Sequence, residues 1–174
     1  MQTLSPTLEA PRPDAGAPAF RSTVQREDIA YVESLVRATG VFNANEIAIA
    51  RDLVEEAIGR GEAAGYKFLF ADGPEGLQGY VCFGPIPGTA KRFELYWIAV
   101  HPLARRLHLG KRLQEAAEAT VRGLGGVYMM AETSTRTDYA AARNFYAALG
   151  YRLLAEVPDW HDEGDGLAIF GKRL

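Results

Sequence analysis

Two periodicities run through this chain, one of about three to four residues and one of about two, and they lay out helices and strands in turn. Met1 to Ala19 follows neither. Pro6, Pro11, Pro13 and Pro18 stand there among threonine, alanine and glycine, which interrupt any helix or strand ladder, so the segment is expected to be a mobile tail ahead of one domain spanning residues 20–174. Phe20 to Gln25 is a short extended run. Ile29, Val32, Leu35 and Val36 then recur at helical spacing behind Arg26-Glu27-Asp28, and Gly40 ends that helix. A second helix runs from about Asn45 to Gly59. It carries Ile47, Ala50, Leu53, Val54, Ala57 and Ile58 on one face, with Glu46, Arg51, Asp52, Glu55 and Glu56 on the other.

Strands follow. Lys67 to Ala71 and Leu77 to Phe83 flank Asp72-Gly73-Pro74-Glu75-Gly76, whose glycine and proline content predicts a turn. Phe93 to Val100 holds Leu95, Tyr96, Trp97, Ile98 and Val100 in a nearly continuous apolar run, the pattern of a strand at a sheet centre. After His101-Pro102, Leu109, Leu113, Ala116, Ala117, Thr120, Val121 and Leu124 predict a long helix that stops at Gly125-Gly126. Val127 to Ala131 is a strand. Ala141, Ala142, Phe145, Tyr146 and Leu149 form a helix closed by Gly150, and strands near Tyr151–Val157 and Leu167–Lys172 finish the chain. Early hairpins and late strand-helix-strand crossovers imply an α/β (α+β) fold. The expected sheet is mixed and mostly antiparallel, with about six or seven strands and about four flanking helices.

Composition narrows the function. With 174 residues, 48% of them apolar and 24% charged, the chain can bury one substantial core. No apolar run reaches the roughly 18 residues that cross a bilayer, and the start lacks the features of a signal peptide, so no membrane association and a cytoplasmic location are expected. A formal charge of −3 and a pI near 5.7 lack the basic footprint of a nucleic-acid binder. The lone cysteine, Cys82, sits in an apolar run and reads as a buried structural residue.

The segment Val100 to Lys111 passes from a strand through a short basic loop into a helix start. Unpaired N–H groups and the positive dipole end make such a start an anion site; Arg105, Arg106 and Lys111 add charge, and Gly110 permits close backbone approach. A pyrophosphate fits these features, and so does an ordinary solvated basic loop. What separates the two readings is a resemblance. The segment resembles the acetyl-CoA loop of the GNAT superfamily, the general-control-related N-acetyltransferases. In that pattern Arg or Gln is followed after two residues by Gly and, one residue later, by Gly or Ala; Arg105, His108 and Gly110 occupy the three positions. His108 departs from it by placing a side chain where a glycine is usual.

The resemblance continues in Phe145-Tyr146-Ala147-Ala148-Leu149-Gly150-Tyr151, which is similar to the family's aromatic-Tyr, three residues, Gly-aromatic signature. It implies acetyl-CoA as co-substrate, without metal, held through Ile98, Ala99 and Val100 and through Arg105, Arg106, Leu107, His108, Leu109, Gly110 and Lys111. The Ile98 N–H would polarise the acetyl carbonyl and Val100 would bond the pantetheine arm. Tyr146 would protonate or steady the leaving thiolate, although an apolar-faced helical tyrosine is also an ordinary core residue. Glu94, at even spacing from Ile98, is expected on the face of the thioester as the base that deprotonates the acceptor; the alternative is a plain carboxylate at the pocket rim. Tyr139 stands where many relatives carry an asparagine.

The implied activity is acetyl transfer to a primary amine of a small molecule by direct attack in a ternary complex, since no cysteine or serine has a nucleophile's setting. A non-catalytic acyl-CoA-binding module and a protein or peptide N-acetyltransferase are the alternatives, and a homodimer is compatible with the sequence. The acidic stretch Asp159 to Gly166, with Trp160 and His161, reads either as an amine-attracting surface or as a solvated hairpin loop.

Overall fold

The computed structural model describes residues 20–73 and 76–174, without the side chains of Arg106 and Leu107. The expected tail and the middle of the expected turn, Pro74-Glu75, lie outside the described residues. The chain runs through β1 (Phe20–Arg21), α1 (Asp28–Ala38), α2 (Ala44–Arg60), β2 (Lys67–Gly73), β3 (Gly76–Pro85), β4 (Arg92–Val100), α3 (Leu109–Gly123), β5 (Tyr128–Ser134), α4 (Ala140–Ala148), β6 (Arg152–Asp162) and β7 (Asp165–Arg173). Its seven strands form one sheet in the order β1-β2-β3-β4-β5-β7-β6. Every pairing is antiparallel except β4 with β5, which the α3 crossover makes parallel.

Each sheet face buries its own core. On one, Leu109, Leu113, Ala117 and Val121 of α3 pack on Val81, Phe83, Phe93, Leu95 and Met129. On the other, Val32, Val36, Ile47, Ala50 and Val54 of α1 and α2 pack on Phe68, Phe70 and Tyr80. Burying fifteen-odd large side chains at about 25 cal/mol per Å² of apolar surface is the dominant favourable contribution to such a fold. Cys82 is buried in the second core, as the apolar run around it implies.

The largest departures in extent from the sequence reading are at β1 and β6. β1 holds only Phe20 and Arg21, because Arg21 turns its guanidinium inward to the fully buried Asp28 carboxylate, with contacts of 2.8 and 2.9 Å, and outward to Asp72 at 2.8 and 3.0 Å. Asp28 also accepts from the Gln25 N–H at 2.7 Å, so the chain bends away from the sheet after Arg21. β6 runs on to Asp162 instead of ending near Val157. Its pairing with β7 jumps from Val157↔Leu167 to Asp162↔Asp165, and Trp160 is displaced into solvent.

Candidate functional site

The parallel pair opens part-way along its length. β4 and β5 are in register only from Arg92↔Tyr128 to Leu95↔Ala131, although β4 continues to Val100 and β5 to Ser134. On its other edge β4 stays paired with β3 as far as Gly79↔Val100. The His101 N–H donates to Gln78 O at 2.8 Å, on the β3 side. Backbone groups alternate along a strand, so the N–H and C=O of Ile98 and Val100 point the other way, into the split. Backbone donors without a strand partner are costly unless something else takes the bond, so the split offers hydrogen-bonding groups that the sheet itself does not use.

A β-bulge alters the sequence argument about Glu94. The β3–β4 register moves from Phe83↔Leu95 to Cys82↔Trp97, leaving Tyr96 as the extra residue. Phe93 and Leu95 therefore share the α3 face with Ile98 and Val100, whereas Tyr96, Trp97 and Ala99 pack on the α1/α2 side. Even spacing does not place Glu94 and Ile98 on one face; the bulge inverts the phase between them. Glu94 lies on the α1/α2 face, half-buried. Burial raises its carboxyl above the usual range, and the charge of Glu132 raises it further. Glu132 is an exposed residue of β5, two positions beyond Met130, the cross-strand partner of Glu94. Sequence reasoning missed it; its signal was a charged residue on the polar phase of a strand that parallels Glu94.

At the far end of β4, Pro102–Leu107 forms a short 3-10 turn, and His108 caps α3 in the left-handed region at φ 51°. Histidine is among the side chains that tolerate this conformation, so glycine is not obligatory there. The α3 start has no side-chain cap, which leaves its first N–H groups free beside a loop carrying exposed Arg105, His108 and Lys111. Leu109 is fully buried and seats the helix on the sheet. At Gly110 an added methyl would lie 3.4 Å from Phe145 and 3.6 Å from Val100, at ordinary contact distance, so the side on which the glycine lacks a side chain packs against α4 and β4 and is not the side expected to admit a ligand.

Tyr146 is buried, its ring 5.6 Å from Phe145, 5.7 Å from Tyr151 and 5.7 Å from Phe170. Burial pushes its phenol well above the usual range, so it holds its proton at neutral pH. The Tyr146-to-Tyr151 signature also has a backbone meaning. Gly150 takes φ 84°, Tyr151 N donates to Tyr146 O at 3.0 Å and Gly150 N to Ala147 O at 3.1 Å. This is a Schellman cap, which brings the residues before and after the glycine into side-chain contact.

Tyr139 does not follow the asparagine pattern. Its hydroxyl donates to Glu46 Oε1 at 2.5 Å, and Glu46 Oε2 accepts from the Asn43 N–H that begins α2. Phe42 stands 5.0 Å from Trp97 and 6.1 Å from Tyr139, and the Arg136 guanidinium lies 5.4 Å over the Tyr139 ring. The α1–α2 turn is thereby pinned across the end of β4. The β6–β7 hairpin is tied to the same region: Thr135 N donates to Gly166 O and Gly166 N to Thr135 Oγ1, both at 2.8 Å, and Ser134 bonds Asp165. Trp160 and His161 are exposed on that hairpin.

A groove of about 760 Å³ lies elsewhere, between the end of α2, the outer edge of β2 and the end of α3, and touches neither Glu94 nor Tyr146. Among the described residues no three His, Cys, Asp or Glu side chains are grouped to hold a metal, and no helix is long and apolar enough to cross a membrane.

Residues 52–151 match the Acetyltransferase (GNAT) family. A solved structure assigned to the GNAT family from Desulfovibrio desulfuricans is 37% identical, with a TM-score of 0.87 over 90% of this chain and 99% of that one. The chain belongs to the GNAT acetyltransferase family and is an enzyme of the acyltransferase class. The fold is also shared with an aminoglycoside 6'-N-acetyltransferase complexed with coenzyme A (17% identity, TM-score 0.69, 89% of this chain and 96% of that one). It is shared again with the ribosomal-protein-S18-alanine N-acetyltransferase from Escherichia coli (18%, 0.69, 89% and 92%). The chain matches no curated protein by sequence.

Proposed function

We propose that this enzyme transfers an acetyl group from acetyl-CoA to a primary amine of a small molecule, by direct attack within a ternary complex. The observation that carries the reading is the β4–β5 split, into which the backbone groups of Ile98 and Val100 point. Its shape and its unpaired donors fit a pantetheine arm, and the uncapped start of α3 with Arg105, His108 and Lys111 fits a pyrophosphate. When bound, acetyl-CoA supplies an activated acetyl thioester with a thiol leaving group.

The chain's own groups do the rest. Glu94 is the proposed base: a carboxyl raised by burial and by Glu132 is a better proton acceptor for an ammonium than an ordinary surface glutamate. The Ile98 N–H is a fixed donor for a developing oxyanion, a contribution on the order of 3 kcal/mol to the barrier. Tyr146 keeps a proton on its phenol for the departing sulfur. A small acceptor is favoured over a polypeptide because the Tyr139–Glu46 bond and the Phe42–Trp97 contact hold the α1–α2 turn against the end of β4. The chain's likeness in fold to an aminoglycoside and a ribosomal-protein acetyltransferase fits acyl transfer to an amine as the common chemistry and leaves the acceptor to this local geometry.

The test is release of free thiol from acetyl-CoA in the presence of a panel of small primary amines and of short peptides with free N-termini. Small amines are expected to release thiol faster than peptides, and acetyl-CoA at a hundred times its dissociation constant to add about 2.7 kcal/mol to unfolding. No melting shift at millimolar acetyl-CoA would remove the co-substrate assignment. A melting shift with no amine-dependent thiol release would leave a binding module, and faster turnover with peptides would make the acceptor a polypeptide.

A further inference from the structure

The Tyr146 phenol lacks a side-chain hydrogen bond to any described residue, so ring packing alone sets its direction. Of the rings that hold it, Phe145 and Phe170 are apolar and have no polar tether. Tyr151 differs. Its hydroxyl accepts from Gln114 Nε2 at 2.5 Å, and Gln114 is a fully buried residue of α3, one turn beyond Gly110. Lys172 Nζ lies 5.4 Å over the Tyr151 ring and grips both oxygens of the buried Glu118 at 2.8 and 2.7 Å. Gln114 and Glu118 thus form a buried polar stripe along α3, continuous with β7 through Lys172. The Schellman turn joins the Tyr151 N–H to the Tyr146 carbonyl, so backbone and side chain both couple the two tyrosines.

The cluster is not fully satisfied, since Gln114 Oε1 is buried without a hydrogen-bond partner among the described residues. Burying that amide beside a carboxylate and a phenol costs stability that an apolar core would not incur, and a cost of this kind points to a geometry the fold needs. Here the imposed geometry is the placement of one ring. We infer that Tyr151, tethered to α3 by Gln114, is a positioning residue that aims the Tyr146 phenol at the thiol end of the split. The inference rests on the assignment of Tyr146 to the leaving sulfur. Burial, followed by the charge of Glu118, pushes the Tyr151 phenol far above its usual range, so the ring stays neutral, and the bond its oxygen accepts from Gln114 does not depend on that proton.

The test needs no acceptor. Coenzyme A is bound to the enzyme and its thiol titrated by the ultraviolet absorbance of the thiolate, in the wild type, Tyr146→Phe, Tyr151→Phe, Gln114→Met and the Tyr146→Phe/Tyr151→Phe double variant. A phenol donating to the sulfur stabilises the thiolate, so the bound thiol should ionise more readily than free coenzyme A, by about one pH unit or tenfold. Tyr146→Phe should abolish that difference. Tyr151→Phe and Gln114→Met should each lose part of it, roughly threefold, while coenzyme A still binds. In the double variant, removing the Tyr151 hydroxyl should add nothing, because it acts only through Tyr146. Thermal melts identify any variant that fails to fold, and Gln114→Met, which leaves both tyrosines in place, then carries the test.

Titration of both Tyr151→Phe and Gln114→Met like the wild type overturns the inference while leaving Tyr146 in its role. A further shift in the double variant does the same, since it shows an effect independent of Tyr146. If Tyr146→Phe itself titrates like the wild type with coenzyme A bound, the assignment of Tyr146 fails and the positioning role fails with it.

Discussion

The Tyr139 hydroxyl lies 2.5 Å from Glu46 Oε1, a hydrogen bond across 93 residues of sequence that joins the entrance of α4 to the first turn of α2. Both ends have second duties. Glu46 completes a capping box with Asn43, and the Tyr139 ring lies under Arg136 and beside Phe42. One bond therefore couples a helix cap to the aromatic contact on Trp97, next to the Ile98 backbone.

Tyr139→Phe keeps the ring and removes the bond. It should cost about 1 kcal/mol in urea unfolding, since the half-buried Glu46 retains its Asn43 partner and can reach water. The acceptor KM should rise severalfold while the affinity for acetyl-CoA stays within about twofold, as the loosened turn lies on the acceptor side. The opposite split, weaker acetyl-CoA binding with an unchanged acceptor KM, would move Tyr139 to the cofactor side of the cleft.

Glu132→Gln tests the electrostatics of the base. Glu94 must be ionised to accept a proton, so the acidic limb of kcat/KM follows its pKa, which burial raises first and Glu132 second. Removing the Glu132 charge lowers the Glu94 pKa and should move that limb to lower pH, without reaching the position of an ordinary glutamate because burial persists. A pH–rate profile under saturating acetyl-CoA decides it; an unmoved limb would mean that another group is the base.

Arg21 offers a stability test remote from the chemistry. Its guanidinium satisfies the fully buried Asp28 and the half-exposed Asp72 and lies 4.5 Å over Phe70. Arg21→Ala strands the Asp28 charge and should cost about 3 kcal/mol, the scale for breaking a buried pair. Asp72→Ala removes only a solvent-facing partner and should cost less than about 1 kcal/mol. Chemical denaturation of the two variants separates the contributions. Equal losses would show that the Asp28 carboxylate finds other partners.

These cases mark what could be read from the chain before its structure. The helix of Leu109, Leu113, Ala117 and Val121 and the strand of Phe93 to Val100 were legible because each buries one face, or nearly both, and local periodicity records that directly. The family was legible because Arg105-to-Gly110 and Tyr146-to-Tyr151 are local motifs in the right order. The Tyr96 bulge was not, because Leu95-Tyr96-Trp97-Ile98 is apolar throughout and contains no polar residue to betray a change of phase. Gln114 and Glu118 escaped notice for a related reason: polar residues on a helix read as solvent-facing, and the partners Tyr151 and Lys172 come from distant parts of the chain. β1 ends early because Arg21 turns in to Asp28, which also holds the Gln25 N–H, and a buried ion pair of this kind leaves no mark in the period of apolar residues.

The half-buried carboxylate of Glu94 has a consequence for stability as well as for rate. A carboxyl whose pKa is raised in the fold binds its proton more tightly there than in the unfolded chain. The destabilisation is absent below the unfolded pKa, where both states are protonated, and is fully present once pH exceeds the raised folded value. Unfolding free energy from this group therefore falls as pH rises through that window. Glu94→Gln removes the titration and keeps the shape, so the variant should be more stable than the wild type at neutral pH and indistinguishable from it in acid, where the wild-type carboxyl is neutral. Its turnover with an amine should fall about a hundredfold or more, the usual contribution of a positioned base. Thermal melts across pH, paired with thiol-release rates, measure both. A variant that is less stable at neutral pH would show that the ionised carboxylate makes compensating bonds in the fold, and one with undiminished turnover would assign the proton transfer to another group.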